Sequence, residues 1–112
     1  MQALPIFINI INQHCVVIGG GEVASRKVLM LLKAQAAITL VSPVVNHELQ
    51  TLIDAGTIKH LQASFAPSQL DGARLIIAAT DDKAVNEAVS IASQAANIPV
   101  NVVDAPALCT FT

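Results

Sequence analysis

The chain has 112 residues, of which 54% are hydrophobic and 12% charged, with a formal net charge of −2. That hydrophobic share excludes a disordered segment and suits a sheet buried on both faces, in one domain over 1–112 with no length for a second core. Three phenylalanines with no tyrosine or tryptophan supply no platform for stacking bases, and the negative balance gives no general attraction to nucleic acid or to anionic membranes.

The N-terminus, Met1-Gln2-Ala3-Leu4-Pro5, has no basic stretch ahead of a long apolar run and does not read as a signal peptide. Pro5–Ile10 is a candidate extra strand. His14–Ile18 reads as a buried strand ended by Gly19-Gly20-Gly21, and residues 22–35 then place Ala24, Val28, Leu31 and Leu32 on one helical face. Ala37–Val41 is the second strand, broken by Ser42-Pro43. Asn46–Ala55 is a weaker helix stopped by Gly56, Thr57–Leu61 a third strand, and Ala66–Leu70 a turn or single helical turn. Arg74–Ala79 is the clearest strand, apolar without alternation, as a strand covered on both faces requires. Thr80-Asp81-Asp82 carries helix-start chemistry, and residues 83–96 put Ala84, Ala88, Ile91, Ala92 and Ala95 on one face. Pro99–Val103 is the last strand, with Pro99 suited to its first position. The longest apolar runs, Val28–Leu32 and Leu75–Ala79, have 5 residues each, far short of a membrane span.

Strands alternating with helices predict an α/β Rossmann-type doubly wound parallel sheet of order 3-2-1-4-5, with its ligand crevice between strands 1 and 4. In that order the first Rossmann strand already has two neighbours, so Pro5–Ile10 would pair at the sheet edge.

Gly19-Gly20-Gly21-Glu22-Val23-Ala24 fits G-x-G-x-x-A between a strand and a helix. Gly19 permits the tight turn, Gly21 lets a pyrophosphate approach bare backbone, and Ala24 allows close helix–sheet packing. The helix N-terminus, at Glu22 and Val23, offers unpaired N–H groups to the phosphates. The pattern usually continues with an acid about twenty residues on for the ribose. Ser42-Pro43 stands there instead, so the ribose falls to Ser42 or to backbone groups at Pro43 and Val44. No arginine is near to take a 2′-phosphate, which favours NAD over NADP as the cofactor.

Cys15 and Cys109 are far apart with no CxxC spacing, which gives neither a disulfide framework nor a structural metal set and points to a reducing cytosol. Cys15 reads as a buried strand residue. His14, His47 and His60 share no spacing and read as surface or strand-end residues rather than ligands.

Three stretches together resemble one family. They are the glycine loop running into Ser25-Arg26-Lys27, then Ala78-Ala79-Thr80-Asp81-Asp82-Lys83-Ala84-Val85-Asn86, and then Asn101-Val102-Val103-Asp104-Ala105-Pro106-Ala107-Leu108-Cys109-Thr110-Phe111. Over essentially its whole length the chain resembles the NAD-binding domain of precorrin-2 dehydrogenase/sirohydrochlorin ferrochelatase, the N-terminal part of siroheme synthase. The resemblance implies NAD-dependent oxidation of precorrin-2 to sirohydrochlorin in a cytoplasmic oxidoreductase. Tetrapyrroles would be its substrates and, in members that also insert iron, ferrous iron would be another. It implies a homodimer in the complete protein and a role for Asp104 in both reactions. A carboxylate there suits either step, since each must shed protons. The structural alternative is that Asp104 caps the Ala105-Pro106 turn. Thr80 caps a helix and, by resemblance, contacts the cofactor. Asn86 and Asn101 read as structural, with Asn101 placed to orient Asp104. Arg26 and Lys27 read as solvated surface, or else as partners of tetrapyrrole carboxylates or cofactor phosphates.

Family members continue with a dimerisation region and a helical segment that this sequence lacks, which leaves the competence of the isolated chain open. A second reading is an NAD-sensing regulatory domain of the potassium-transport type, which carries a similar stretch after its fourth strand. Ser42-Pro43 and Asp104-Ala105-Pro106 count against it.

Overall fold

A computed structural model describes residues 3–112; Met1 and Gln2, the start of the stretch read above for a signal, lie outside the described residues. The elements run β1 (His14–Ile18), α1 (Glu22–Lys33), β2 (Ala37–Val41), α2 (His47–Asp54), β3 (Lys59–Leu61), β4 (Leu75–Ala78), α3 (Lys83–Ala95) and β5 (Val100–Val102). Short 3₁₀ turns at Pro67–Leu70 and Pro106–Leu108 complete them.

The strands form one sheet of order β3-β2-β1-β4-β5, all parallel, as the alternation of strand and helix predicts. In register, Ile18 of β1 stands beside Val41 of β2 and Ala78 of β4, so the three strands end level. Each face carries its own core. Cys15, Val17, Leu40 and Ile77 point to the side covered by α1 and α2, where they meet Ala24, Val28 and Leu49. Val16, Ile18, Ile76 and Val100 point to the other side, against Val89 of α3 and Leu70. Truncating a fully buried residue such as Ile76 to alanine would cost about 2–5 kcal/mol.

All three α-helices stop in the same way. After α2, Gly56 (φ 74) donates to Ile53 O at 3.0 Å and Thr57 N donates to Leu52 O at 3.0 Å. Gln35 (φ 64) and Asn97 (φ 58) take the equivalent left-handed position after α1 and α3, with the same pair of bonds.

Two expectations change. Pro5–Ile10 forms no strand. Ile10 enters the core and Ile8 packs partly against it, while Ile6 and Phe7 are exposed, and the segment pairs with no strand of the sheet. The buried face of α3 is not the alanine row. Asn86, Val89, Ser90 and Ser93 face inward, and Ile91 is exposed. Those serines tolerate burial because their hydroxyls are bonded, Ser93 Oγ to Val89 O at 2.7 Å and Ser90 Oγ to Leu108 O at 2.6 Å.

Candidate active site

Past their carboxyl ends, β1, β2, β4 and β5 feed a crevice of about 790 Å³. It opens where α1 leaves for one face of the sheet and α3 for the other, the position at which this topology binds ligands. Gly19, Gly21, Glu22, Val23, Ser42, Pro43, Val44, Thr80 and Asp104 all line it.

The three glycines are required for different reasons. Gly19 sits at φ 140, and a Cβ there would run into the carbonyl of Ala79. At Gly20 a Cβ would strike the Val44 carbonyl and come within 2.5 Å of Ser42 Oγ. Gly21 has nothing within 4 Å of an added Cβ, so its bareness serves no packing need. It leaves a cradle at the start of α1 that a side chain would fill.

No side chain caps that helix start, and its first bond runs from Ser25 N to Gly21 O at 3.0 Å. The N–H groups of Glu22, Val23 and Ala24 therefore have no intrahelical partner, and the positive dipole end sits with them. An open cradle with free donors fits a pyrophosphate.

Asn46 fixes the loop from behind. Its N–H donates to Gly20 O at 2.8 Å, its Nδ2 donates to Ser25 Oγ at 2.8 Å, and its Oδ1 accepts from Leu49 N at 2.9 Å. Ser25 Oγ donates in turn to Gly21 O at 3.1 Å.

At the end of β2, the Ser42 hydroxyl donates to Val44 O, the Gln62 amide donates to Pro43 O at 3.3 Å, and the His60 ring meets Ser42 O at 2.9 Å. Ser42 is buried and Val44 is exposed on the crevice wall. The residues lining the crevice include Glu22, Asp81, Asp82 and Asp104 but no lysine, arginine or histidine.

Across the crevice, Asp82 caps α3, accepting from Ala84 N at 2.9 Å and Val85 N at 3.2 Å. Thr80 is clamped by Asn86: its hydroxyl donates to Asn86 Oδ1 at 2.6 Å, and Asn86 Nδ2 donates to Thr80 O at 3.0 Å. Thr80 thus lines the crevice with its hydroxyl proton already engaged.

Asp104 follows β5 in the left-handed region at φ 56, exposed, in a turn closed by Ala105 N donating to Val102 O at 3.3 Å. A non-glycine residue held there is a small store of strain, of the kind found at functional sites. Cys109 holds the base of the turn, accepting from Val102 N at 3.1 Å and donating to Val102 O at 3.2 Å. Asn101 does not bond Asp104; its Nδ2 donates to Phe111 O at 3.1 Å.

A second hollow, of about 540 Å³, lies between α1 and this turn. Val23, Val103 and Asp104 line both it and the crevice, so Asp104 stands on their shared rim. Arg26 and Lys27 line the second hollow and not the first.

Sequence reading did not single out Asn46, whose bonds to Gly20 and Ser25 reach across sequence, or Ala63, Ser64 and Phe65, which close the crevice wall after β3. Asn46 carried one usable signal, an Asx residue just before a helix. Residues 63–65 carried none.

Cys15 is fully buried in β1, and burial pushes its thiol pKa up. Among the described residues no helix is long and apolar enough to cross a membrane. Among the same residues no group of three or more His, Cys, Asp or Glu side chains is placed to hold a metal.

The parallel sheet, the uncapped helix start and the bare cradle at Gly21 define a dinucleotide-binding Rossmann domain. A family model described as "Putative NAD(P)-binding" matches residues 6–112, and the chain belongs to that family. The sequence is 58% identical over 111 residues to a siroheme synthase of Methylobacillus flagellatus and 51% identical over 112 residues to one of Nitrosomonas europaea. Each alignment covers 99% of this chain and 24% of the relative, so the chain spans about a quarter of their length. Among solved structures it is similar to SirC, precorrin-2 dehydrogenase, with a TM-score of 0.77 and 25% identity, covering 98% of this chain and 51% of that one.

Proposed function

We propose that the chain is the NAD-binding domain, a single unit over 1–112, of a protein that oxidises precorrin-2 to sirohydrochlorin in siroheme formation. The observation that carries this reading is the position of Asp104, at strained backbone on the rim shared by the dinucleotide crevice and the second hollow. Similarity to siroheme synthases and to SirC supports the choice of substrate.

Oxidation of the macrocycle removes a hydride and a proton. NAD, when bound, accepts the hydride. The N–H groups of Glu22 and Val23 beside Gly21 would hold its pyrophosphate, and Ser42, Pro43 and Val44 would hold its adenosine ribose. Thr80, fixed by Asn86, shapes the opposite wall and would contact the cofactor there. The Asp104 carboxylate accepts the proton from the macrocycle as the hydride leaves. Among the described residues no protein group donates a hydrogen bond to it. In iron insertion the same carboxylate would take up pyrrole N–H protons as ferrous iron, a substrate, enters the ring.

We propose NAD rather than NADP as the dinucleotide. No lysine or arginine lines the crevice to take a 2′-phosphate. The reading is tested with the complete protein, precorrin-2 and each dinucleotide. Reduced dinucleotide should appear with sirohydrochlorin, and with NAD faster than with NADP at equal concentration. No reduction of either dinucleotide would refute the dehydrogenase assignment, and faster turnover with NADP would refute the cofactor choice.

A further inference from the structure

The second hollow has a chemistry of its own. Val23, Met30, Val102 and Val103 give it an apolar lining, while Arg26 and Lys27 bring two adjacent cations to its α1 side. Val23, Lys27 and Met30 are spaced i, i+4 and i+7 along α1, so they share one flank of the helix. The inward face of α1 belongs to Ala24, Ser25, Val28 and Leu31, which leaves this flank to form a wall rather than the core. Lys27 is half-buried and Arg26 exposed. In a chain with 6 basic and 8 acidic residues, a consecutive basic pair facing an apolar hollow beside an exposed carboxylate selects for a particular ligand.

An apolar lining with a cationic wall accommodates a flat apolar body fringed with carboxylates. Resting on the function proposed above, we infer that Arg26 and Lys27 bind carboxylates of the macrocyclic substrate and thereby set its position over Asp104. The cations offset the repulsion that Asp104 exerts on an anionic ligand, and they fix which edge of the ring comes to the carboxylate. Neither residue lines the dinucleotide crevice, which separates this role from pyrophosphate binding.

The test uses the complete protein with Arg26→Gln, Lys27→Gln and the double variant, and Lys27→Arg as the charge-conserving control. Uroporphyrin, a stable fluorescent macrocycle with carboxylates on every pyrrole, serves as a probe that needs neither NAD nor turnover; its binding is read by anisotropy, with its methyl ester as the uncharged comparison. Each neutral variant should weaken uroporphyrin binding roughly fivefold, as expected for an exposed ion pair, and raise KM for precorrin-2 by a similar factor. The NAD affinity should stay unchanged, Lys27→Arg should bind as the parent does, and the ester should bind all forms alike. Unchanged uroporphyrin binding in the double variant would overturn the inference, as would a loss of NAD affinity in its place. Parent protein that binds uroporphyrin through these cations yet never oxidises precorrin-2 would sink the proposed function and leave a polycarboxylate site standing. Parent protein that oxidises precorrin-2 with no dependence of KM on the pair would do the reverse.

Discussion

Asn46 Nδ2 donates to Ser25 Oγ at 2.8 Å and so joins the start of α2 to the first turn of α1, behind the glycine loop. The same side chain caps α2 through Oδ1, which couples a local helix signal to the geometry of the crevice. Asn46→Ala should therefore lower stability by about 0.5–2 kcal/mol and also weaken dinucleotide binding. Asn46→Ser keeps a cap but is too short to reach Ser25. It should keep most of the stability in urea titration and still lose affinity by calorimetry. Parental affinity in both variants would show that the Asn46–Ser25 bond has no part in holding the loop.

The glycines allow a sharper contrast. Gly21→Val adds a side chain where nothing lies within 4 Å, so the fold should persist while dinucleotide binding disappears. Gly20→Ala drives a Cβ into the Val44 carbonyl and should destabilise the domain before any ligand is added. Thermal unfolding and calorimetric titration of the two variants separate these outcomes. Normal NAD binding by Gly21→Val would place the pyrophosphate elsewhere.

The fold was legible because buried parallel strands repeat a simple signal. Cys15–Ile18 and Leu75–Ala79 are apolar runs, and residues 22–35 carry helical spacing, so the sheet order follows from topology rules. The crevice residues were legible because a glycine loop binds through backbone, which sequence can mark. The inward face of α3 was not. A pattern search scores Ser90 and Ser93 as polar, yet each hydroxyl finds a carbonyl and is buried. Pro5–Ile10 looked like a strand by composition, but whether an apolar segment pairs with a sheet depends on contacts far along the chain. The role of Cys109 was equally hidden, since its thiol bonds Val102 across a turn that exists only once Asp104 takes the left-handed conformation.

Cys109 thus supplies its own prediction. Cys109→Ala removes the acceptor for Val102 N and the donor to Val102 O, which should loosen the Asp104 turn. The expected result in the complete protein is a lower kcat with NAD affinity intact, and partial recovery in Cys109→Ser. Unchanged kcat in Cys109→Ala would show that the turn holds without the thiol.

Cys15 gives a pH signature. Burial raises its folded-state pKa above the ordinary thiol value, so the fold favours the neutral thiol. That stabilisation is complete below the unfolded pKa and is lost as pH rises through the folded one. The melting temperature of the parent should fall more steeply above pH 9 than that of Cys15→Val. Parallel curves for the two proteins would exclude thiol burial as the cause.

The most direct test of the account is Asp104→Asn in the complete protein, assayed for precorrin-2 oxidation. Asparagine keeps the shape and suits a left-handed backbone, but it accepts no proton at neutral pH. The account predicts normal NAD affinity, a normal fold, and oxidation slowed roughly a hundred- to ten-thousandfold, with iron insertion slowed alongside wherever the parent performs it. Near-parental oxidation by Asp104→Asn would contradict the account, because the residue would then do no more than occupy a turn.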